Sequence, residues 1–321
     1  MKLVSYDFKN ETRVGVQSNE LIVDLVTASS ELSKKHSSGF AALSRVSDMV
    51  SFLEGGDSAL DEARALVREV LEVVAQGSDI TLRKAGAILP LSEVRLRSPI
   101  PRPRKNIVCL GLNYHDHWLE TAGRRGEPLP SVPVFFTKSP TAVIGPFDDI
   151  AYPSATAELD YEVELAVVLG RRGKDIPRRD VFRYVAGYSI LNDVSARDLQ
   201  RKHQQWFRSK SLDTFAPLGP WLTTRDEIDD PHNLDMELKV NGETRQKSNT
   251  RNLIFKIPDI LETLSQDMTL EPGDVIATGT PAGVALGMSP PRYLNVGDVI
   301  EAQINGLGSI RNRVVEKSTR S

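Results

Sequence analysis

Asp160-Tyr161-Glu162-Val163-Glu164-Leu165-Ala166-Val167-Val168 is the stretch that decides how this chain reads. In a strand, alternate side chains face the same side, so Asp160, Glu162 and Glu164 are expected to project together. Like charges that close raise each other's pKa unless something positive sits between them. A hard divalent cation meets that need, and carboxylate oxygens suit Mg²⁺ or Mn²⁺ better than a soft metal. The competing reading is a solvent-facing acidic edge. The apolar run Leu165–Val168 directly downstream argues instead that the strand enters a core.

Working outward, the same pattern repeats. Tyr184–Asp193, Val275–Thr278, Val299–Ile304 and Ser309–Val315 are strand candidates. Leu234–Val240 and Glu243–Lys247 flank Asn241-Gly242, a hairpin turn signal, and Asn305-Gly306 is another. One helix interrupts the strands, with Ile257, Ile260, Leu261 and Leu264 on one face and Pro258 in its first turn. Many short strands with few helices predict a β-rich α+β fold built on a barrel, roll or sandwich.

The first part of the chain reads as a unit of its own. Lys2–Phe8, Arg13–Gln17 and Leu21–Leu25 are short strands. A helix follows, with Leu60, Ala63, Val67, Val70, Leu71 and Val74 at helical spacing. Ser58 and Asp61 suggest its capping box, and Gly77 its stop. The basic, proline-rich segment Ser98-Pro99-Ile100-Pro101-Arg102-Pro103-Arg104 marks a boundary. The expected division is a small α+β unit over 1–97 and a larger catalytic unit over 98–321. No catalytic cluster stands in the first, so support or a dimer contact is its expected role.

The totals narrow the function. The 321 residues carry a formal net charge of −3, are 26% charged and contain one cysteine. No basic field draws the chain to nucleic acid or an anionic membrane, and no apolar run nears the ~20 residues needed to span a bilayer. Cys109 lies in an apolar run and reads as a buried, inert thiol; a disulfide framework and a cysteine-based zinc site are excluded. The start lacks the apolar core of a secretory signal, so a cytoplasmic setting is the default expectation. Neither the dinucleotide fingerprint nor the P-loop pattern is present.

Two further segments carry chemistry. Asp193 follows an apolar run, with Arg197 and Gln200 three residues apart beyond it; a helix start with a capping acid is the plain alternative. In Gly111-Leu112-Asn113-Tyr114-His115-Asp116-His117-Trp118-Leu119-Glu120, the histidines lack zinc spacing. His117 and Glu120 are one helical turn apart, so the carboxylate can orient the imidazole for general-base work on water, or both can be exposed loop residues.

Taken in order, these pieces resemble the fumarylacetoacetate hydrolase family. The match includes Gly111–Tyr114 with His117 and Glu120, Asp160–Leu165, Asn192–Gln200, Lys210–Phe215 with Pro217–Pro220, Val240–Glu243 and Pro272–Pro281. It spans roughly residues 100–315. The chain looks most like the branch that holds domain-containing protein 2 of this family and the bacterial 2-oxohepta-3-ene-1,7-dioate hydratase-like proteins. The resemblance implies a mixed β-sandwich roll, a homodimer, and Mg²⁺ or Mn²⁺ on Glu162, Glu164 and Asp193, with Asp160 behind them. It implies a water-activating dyad of His117 and Glu120, Lys210 beside the metal, and Arg197, Gln200, Thr280 and Tyr161 around the substrate. Asn113 and Tyr114 would shape the start of the dyad segment, and no catalytic role falls to His115.

The implied activity is a metal-dependent hydrolase that cleaves the C–C bond of a small anionic 2,4-dioxo acid. The alternatives are an oxaloacetate tautomerase or decarboxylase, a 2-oxo-alkenoate hydratase, or a metal-dependent binding protein without turnover. Arg124 and Arg125 are candidates for a second substrate carboxylate, with surface placement as the plainer alternative. Lys202–Arg208, with His203, Trp206 and Phe207, is a candidate pocket wall, with core or dimer packing the alternative for its aromatics.

Overall fold

The computed structural model describes residues 1–34 and 39–317; the last residues of the expected second unit, 318–321, lie outside them. Its centre is the antiparallel pair Val163–Leu169 and Val185–Asn192, every residue of which is buried. Strands covered on both faces read as continuous apolar runs, as these do. They sit in the middle of a large mixed sheet. On one side follow Val275–Ala277, Ile107–Gly111 and Val134–Lys138; on the other follow Ala216–Thr224, Lys2–Phe8, Glu11–Ser18, Leu21–Asp24 and Ile88–Pro90. Leu3 pairs with Leu222, so the strands of residues 1–97 extend the same sheet as the rest.

A second, five-stranded sheet runs Glu243–Asn249, Asp235–Val240, Val299–Ile304, Gly308–Glu316 and Ile150–Tyr152. It packs over the central strands of the first sheet, and one continuous apolar core fills the space between. Neither sheet closes on itself among the described residues, so the β-rich α+β expectation holds in its roll or sandwich form and not as a barrel. The Asn241-Gly242 hairpin forms, with both residues at positive φ.

Two local expectations need correction. The long helix Gly56–Ala75 starts before Ser58: Gly55 caps it and no side chain does, whereas Asp48 and Ser51 form a capping box for the preceding helix Met49–Glu54. Leu25 does not end a strand. Asp24 accepts a bond from the Thr27 N–H at 2.7 Å and caps the helix Leu25–Ser33, which begins with Leu25 itself. No described helix is long and apolar enough to cross a membrane.

Candidate metal and acid site

Antiparallel register builds the site. Val163 pairs with Asn192, and just beyond that pair the Asp193 N–H donates to the Glu162 carbonyl at 2.8 Å. Glu162 and Asp193 therefore stand opposite one another, and Glu164, two residues along, shares their face. The three carboxylates are buried, and ligand oxygens from each lie within 4.8 Å of one another. Asp160 belongs to a separate short strand, Leu159–Asp160, paired with Ser195–Ala196. It is outside the cluster and accepts from the backbone N–H groups of Ala285 and Leu286 at 2.8 and 3.1 Å.

Three buried cations interleave with these acids. Arg197 bridges Asp160 (2.8 Å) and Glu162 (2.5 Å), and its remaining arm donates to Gln200 at 3.0 Å. Lys210 Nζ lies 2.7 Å from both Glu162 Oε2 and Asp193 Oδ2. Lys138, which the sequence did not single out, donates to Asp193 Oδ1 at 2.5 Å and to the Val194 carbonyl at 3.1 Å.

The charges are shared unequally. Burial pushes Glu162 up, but Lys210 and Arg197 outweigh it and hold the carboxyl well below its usual range. Glu164 goes the other way. Burial, then Asp193 and Glu162, drive it well above the usual value, opposed by Lys210 and by the Gly279 N–H that it accepts at 2.8 Å. A buried carboxyl without a cation of its own, beside two other acids, is the local deficit that a divalent ion corrects. The donor set is all oxygen and suits a hard ion. Burial lowers Lys138 and, with Lys210 beside it, outweighs the Asp193 charge. Lys210 stays raised because Asp193 and Glu162 offset its burial.

The short helix His115–Glu120 brings His117 to the same place. His117 Nδ1 is 3.0 Å from Glu120 Oε1, and the Gly283 N–H donates to both Glu120 oxygens at 3.1 and 3.0 Å. The carboxylate is thus fixed from two sides before it orients the ring. His117, Glu162, Glu164, Arg197, Gln200, Lys210 and Thr280 all border one cavity of about 330 Å³. Thr280 donates to the Val163 carbonyl at 2.9 Å and accepts from Gln246, a buried residue without a sequence signal.

Other expected residues sit elsewhere. The Tyr161 ring is buried and its hydroxyl donates at 3.1 Å to the carbonyl of Gly283, in the loop behind Glu120. Tyr114 is buried in the core, and Asn113 ties the dyad segment to Thr278 and Phe255. Arg124 donates to the Gly287 carbonyl at 2.8 Å, whereas Arg125 borders the cavity and pairs with Glu127. Trp206 also borders it, while His203 and Phe207 are exposed. Cys109 is wholly buried, and burial together with Asp193 and Glu164 raises its thiol far above the ordinary value, as an inert cysteine requires.

Residues 106–315 match the family model described as the fumarylacetoacetate (FAA) hydrolase C-terminal domain. The chain is 40% identical over 317 residues to the oxaloacetate tautomerase YisK of Bacillus subtilis (strain 168), covering 98% of this chain and 100% of that protein. Among solved structures it is similar to a fumarylacetoacetate hydrolase from psychrophilic Exiguobacterium antarcticum, with TM-score 0.77, 37% identity, and 99% and 100% of the two chains covered. A maleylpyruvate hydrolase from Sphingobium sp. SYK-6, solved with manganese(II) and pyruvate, gives TM-score 0.73 at 31% identity, with 99% and 100% covered.

Proposed function

The chain belongs to the fumarylacetoacetate hydrolase family, and from that premise we propose that it is a divalent-metal-dependent oxaloacetate tautomerase. The observation that carries the proposal is the buried Glu162–Glu164–Asp193 cluster, of which Glu162 and Glu164 border a cavity that His117, paired with Glu120, also borders. The similarity to a tautomerase over almost the whole chain favours this reading over C–C hydrolysis.

Glu162, Glu164 and Asp193 would hold Mg²⁺, or Mn²⁺ in its place, whose charge would make the C–H beside the 2-oxo group of a bound acid more acidic. Keto–enol exchange of oxaloacetate then moves one proton. The C3–H bond breaks, its electron pair becomes the C2–C3 double bond, the C2=O π pair passes to the C2 oxygen, and that oxygen gains a proton. With Nδ1 engaged by Glu120, the other ring nitrogen of His117 is the atom that takes the C3 proton. Lys210 donates a hydrogen bond where negative charge grows on the C2 oxygen. Arg197 and Gln200 bind the acid's carboxylate side with Thr280, and Asp160 holds Arg197 in place. Tyr161 serves indirectly, by fixing the Gly283 loop that holds Glu120.

A second reading has its own support. The His117–Glu120 geometry also fits activation of water, which is what hydrolysis of a 2,4-dioxo acid needs, and a structural neighbour is a maleylpyruvate hydrolase. The substrate in either case is a small anionic 2-oxo acid, with no nucleic-acid or membrane partner. A homodimer in the cytoplasm is the proposed setting, and a lone buried cysteine suits a reducing compartment.

The experiment gives the Mg²⁺- or Mn²⁺-loaded protein oxaloacetate and, separately, an acylpyruvate, and follows enol absorbance and pyruvate release. Enol exchange without pyruvate supports the tautomerase. Pyruvate from the acylpyruvate supports the hydrolase, and pyruvate from oxaloacetate a decarboxylase. Binding of both acids with no turnover of either leaves the binding-protein alternative.

A further inference from the structure

We propose that Trp206, seated on the bare backbone of Gly111 and braced by Phe136, closes the distal end of the cavity and restricts it to 2-oxo acids with a short distal chain. The inference rests on the 2-oxo acid reading given above and deepens it from a substrate class to a length limit.

Three contacts build the wall. A methyl group on Gly111 would overlap the six-membered ring of Trp206, with Cη2 at 2.8 Å and Cζ3 closer still. Any side chain there pushes the indole away, so the strand end Ile107–Gly111 accepts this ring only because residue 111 is glycine. Phe136 meets Trp206 edge to face, with ring centroids 5.2 Å apart. The same Phe136 ring lies 5.1 Å from Lys210 Nζ, within cation–π range.

Backbone connects the ends of this wall. Trp206 caps the short helix Phe207–Lys210, and its carbonyl accepts from the Lys210 N–H at 3.1 Å. The ammonium that binds Glu162 and Asp193 and the indole that bounds the cavity are therefore set by one helical turn. An acid whose 2-oxo end is held beside Lys210 extends along Phe136 and meets Trp206 two rings away. The cavity, about 330 Å³, is at the small end of the usual range for ligand sites.

One methylene too many in an apolar pocket changes specificity about 10–200-fold. The test measures dissociation constants and kcat/KM of the Mg²⁺-loaded full chain for 2-oxo dioic acids of four to seven carbons. Oxalate binding to the wild type checks the underlying site. Wild type should lose at least about 10-fold at one step of the series. Trp206→Ala should raise the long-to-short ratio by about 10-fold or more, Trp206→Phe should fall between, and Gly111→Ala, which displaces the indole from its seat, should move the cutoff. Failure of Trp206→Ala to fold leaves Trp206→Phe and Gly111→Ala to carry the comparison. No oxalate binding would overturn the 2-oxo acid reading itself. Oxalate binding with one length profile shared by wild type and variants would overturn the gate alone.

Discussion

Lys138 Nζ lies 2.5 Å from Asp193 Oδ1, and both side chains are wholly removed from solvent. Lys210 holds the other oxygen of the same carboxylate at 2.7 Å. Asp193 is thus gripped from both sides by residues of two different elements, the strand Val134–Lys138 and the helix Phe207–Lys210. Removing one partner of a buried ion pair costs roughly 3–5 kcal/mol. Because Lys210 remains, Lys138→Met should fall at the low end, about 3 kcal/mol less stable. A divalent ion at the cluster replaces part of the lost positive charge, so the difference in Tm from wild type should shrink when Mg²⁺ is added. An unchanged difference, with and without ion, would show that Lys138 does not act on the metal cluster.

The dyad gives a second expectation. General acid–base groups contribute about 10²–10⁴-fold, and His117→Ala should lower enol exchange by that order while ion binding, measured by calorimetry, persists. Glu120→Gln keeps the size of the side chain but presents an amide to Nδ1, and should also slow exchange strongly. If both variants tautomerise oxaloacetate normally yet fail to hydrolyse an acylpyruvate, the dyad serves water and His117 does not take the C3 proton.

These residues differ in how far the sequence announces them. Glu162 and Glu164 are legible because two-residue spacing leading into an apolar run suggests a common face, although Glu162 precedes the strand Val163–Leu169 and the same spacing also puts Asp160 on that face; Asp193 is legible because it ends an apolar run. Lys138 carries no such mark. A lysine at the end of Val134–Lys138 is ordinarily solvated, and only the pairing of that strand with Ile107–Gly111 brings it under Asp193. Ala216–Thr224 was legible only as part of the family motif and not as a central strand, since Pro217 and Pro220 argue against one. A register shift between Tyr188 and Ile190 on its partner strand accommodates it, where the Ser189 hydroxyl reaches the carbonyls of Gly219 and Trp221 at 3.1 and 2.8 Å. The first three strands of residues 1–97 are legible in outline, whereas the short strands Ile88–Pro90 and Arg95–Leu96 are not, and which sheet they all join depends on the distant pairing of Leu3 with Leu222.

The pH response of the ion-free protein follows from Glu164. Burial, then Asp193 and Glu162, raise its folded-state pKa above the ordinary 4.5. Between those two values the folded state binds more protons than the unfolded state, so this group makes stability fall as pH rises. Glu162 has the opposite sign: its depressed pKa contributes stability that is present above about pH 4.5 and is lost only as pH falls below it. Above that point Glu164 alone of the two sets a slope. A bound divalent ion favours the carboxylate and should abolish it. Thermal unfolding in chelator and in excess Mg²⁺, stepped from pH 5 to pH 8, should therefore show the stabilisation by ion growing with pH. Stabilisation independent of pH would place the ion away from Glu164.

Asn113 offers a test of how the dyad segment is anchored. Its amide group donates to the carbonyls of Thr278 (2.8 Å) and Phe255 (3.1 Å), and its oxygen accepts from the Phe255 N–H at 2.7 Å. One side chain thereby joins the start of the His117 segment to the turn that carries Gly279, the donor to Glu164. Asn113→Ala strands three backbone groups, each costing about 1–3 kcal/mol when buried without a partner. Water reaching Phe255, which is half-buried, reduces that total, so a loss of about 3 kcal/mol is expected in denaturant unfolding. Asn113→Asp keeps the acceptor for Phe255 N–H but faces two carbonyls with negative charge, and should be at least as damaging. Both variants should weaken ion binding as well, because the Gly279 N–H loses its fixed position beside Glu164. A stability loss with full ion affinity would mean that the Gly279 turn is held without Asn113, by the bonds of Thr278 to Leu165 and of Thr280 to Val163 and Gln246.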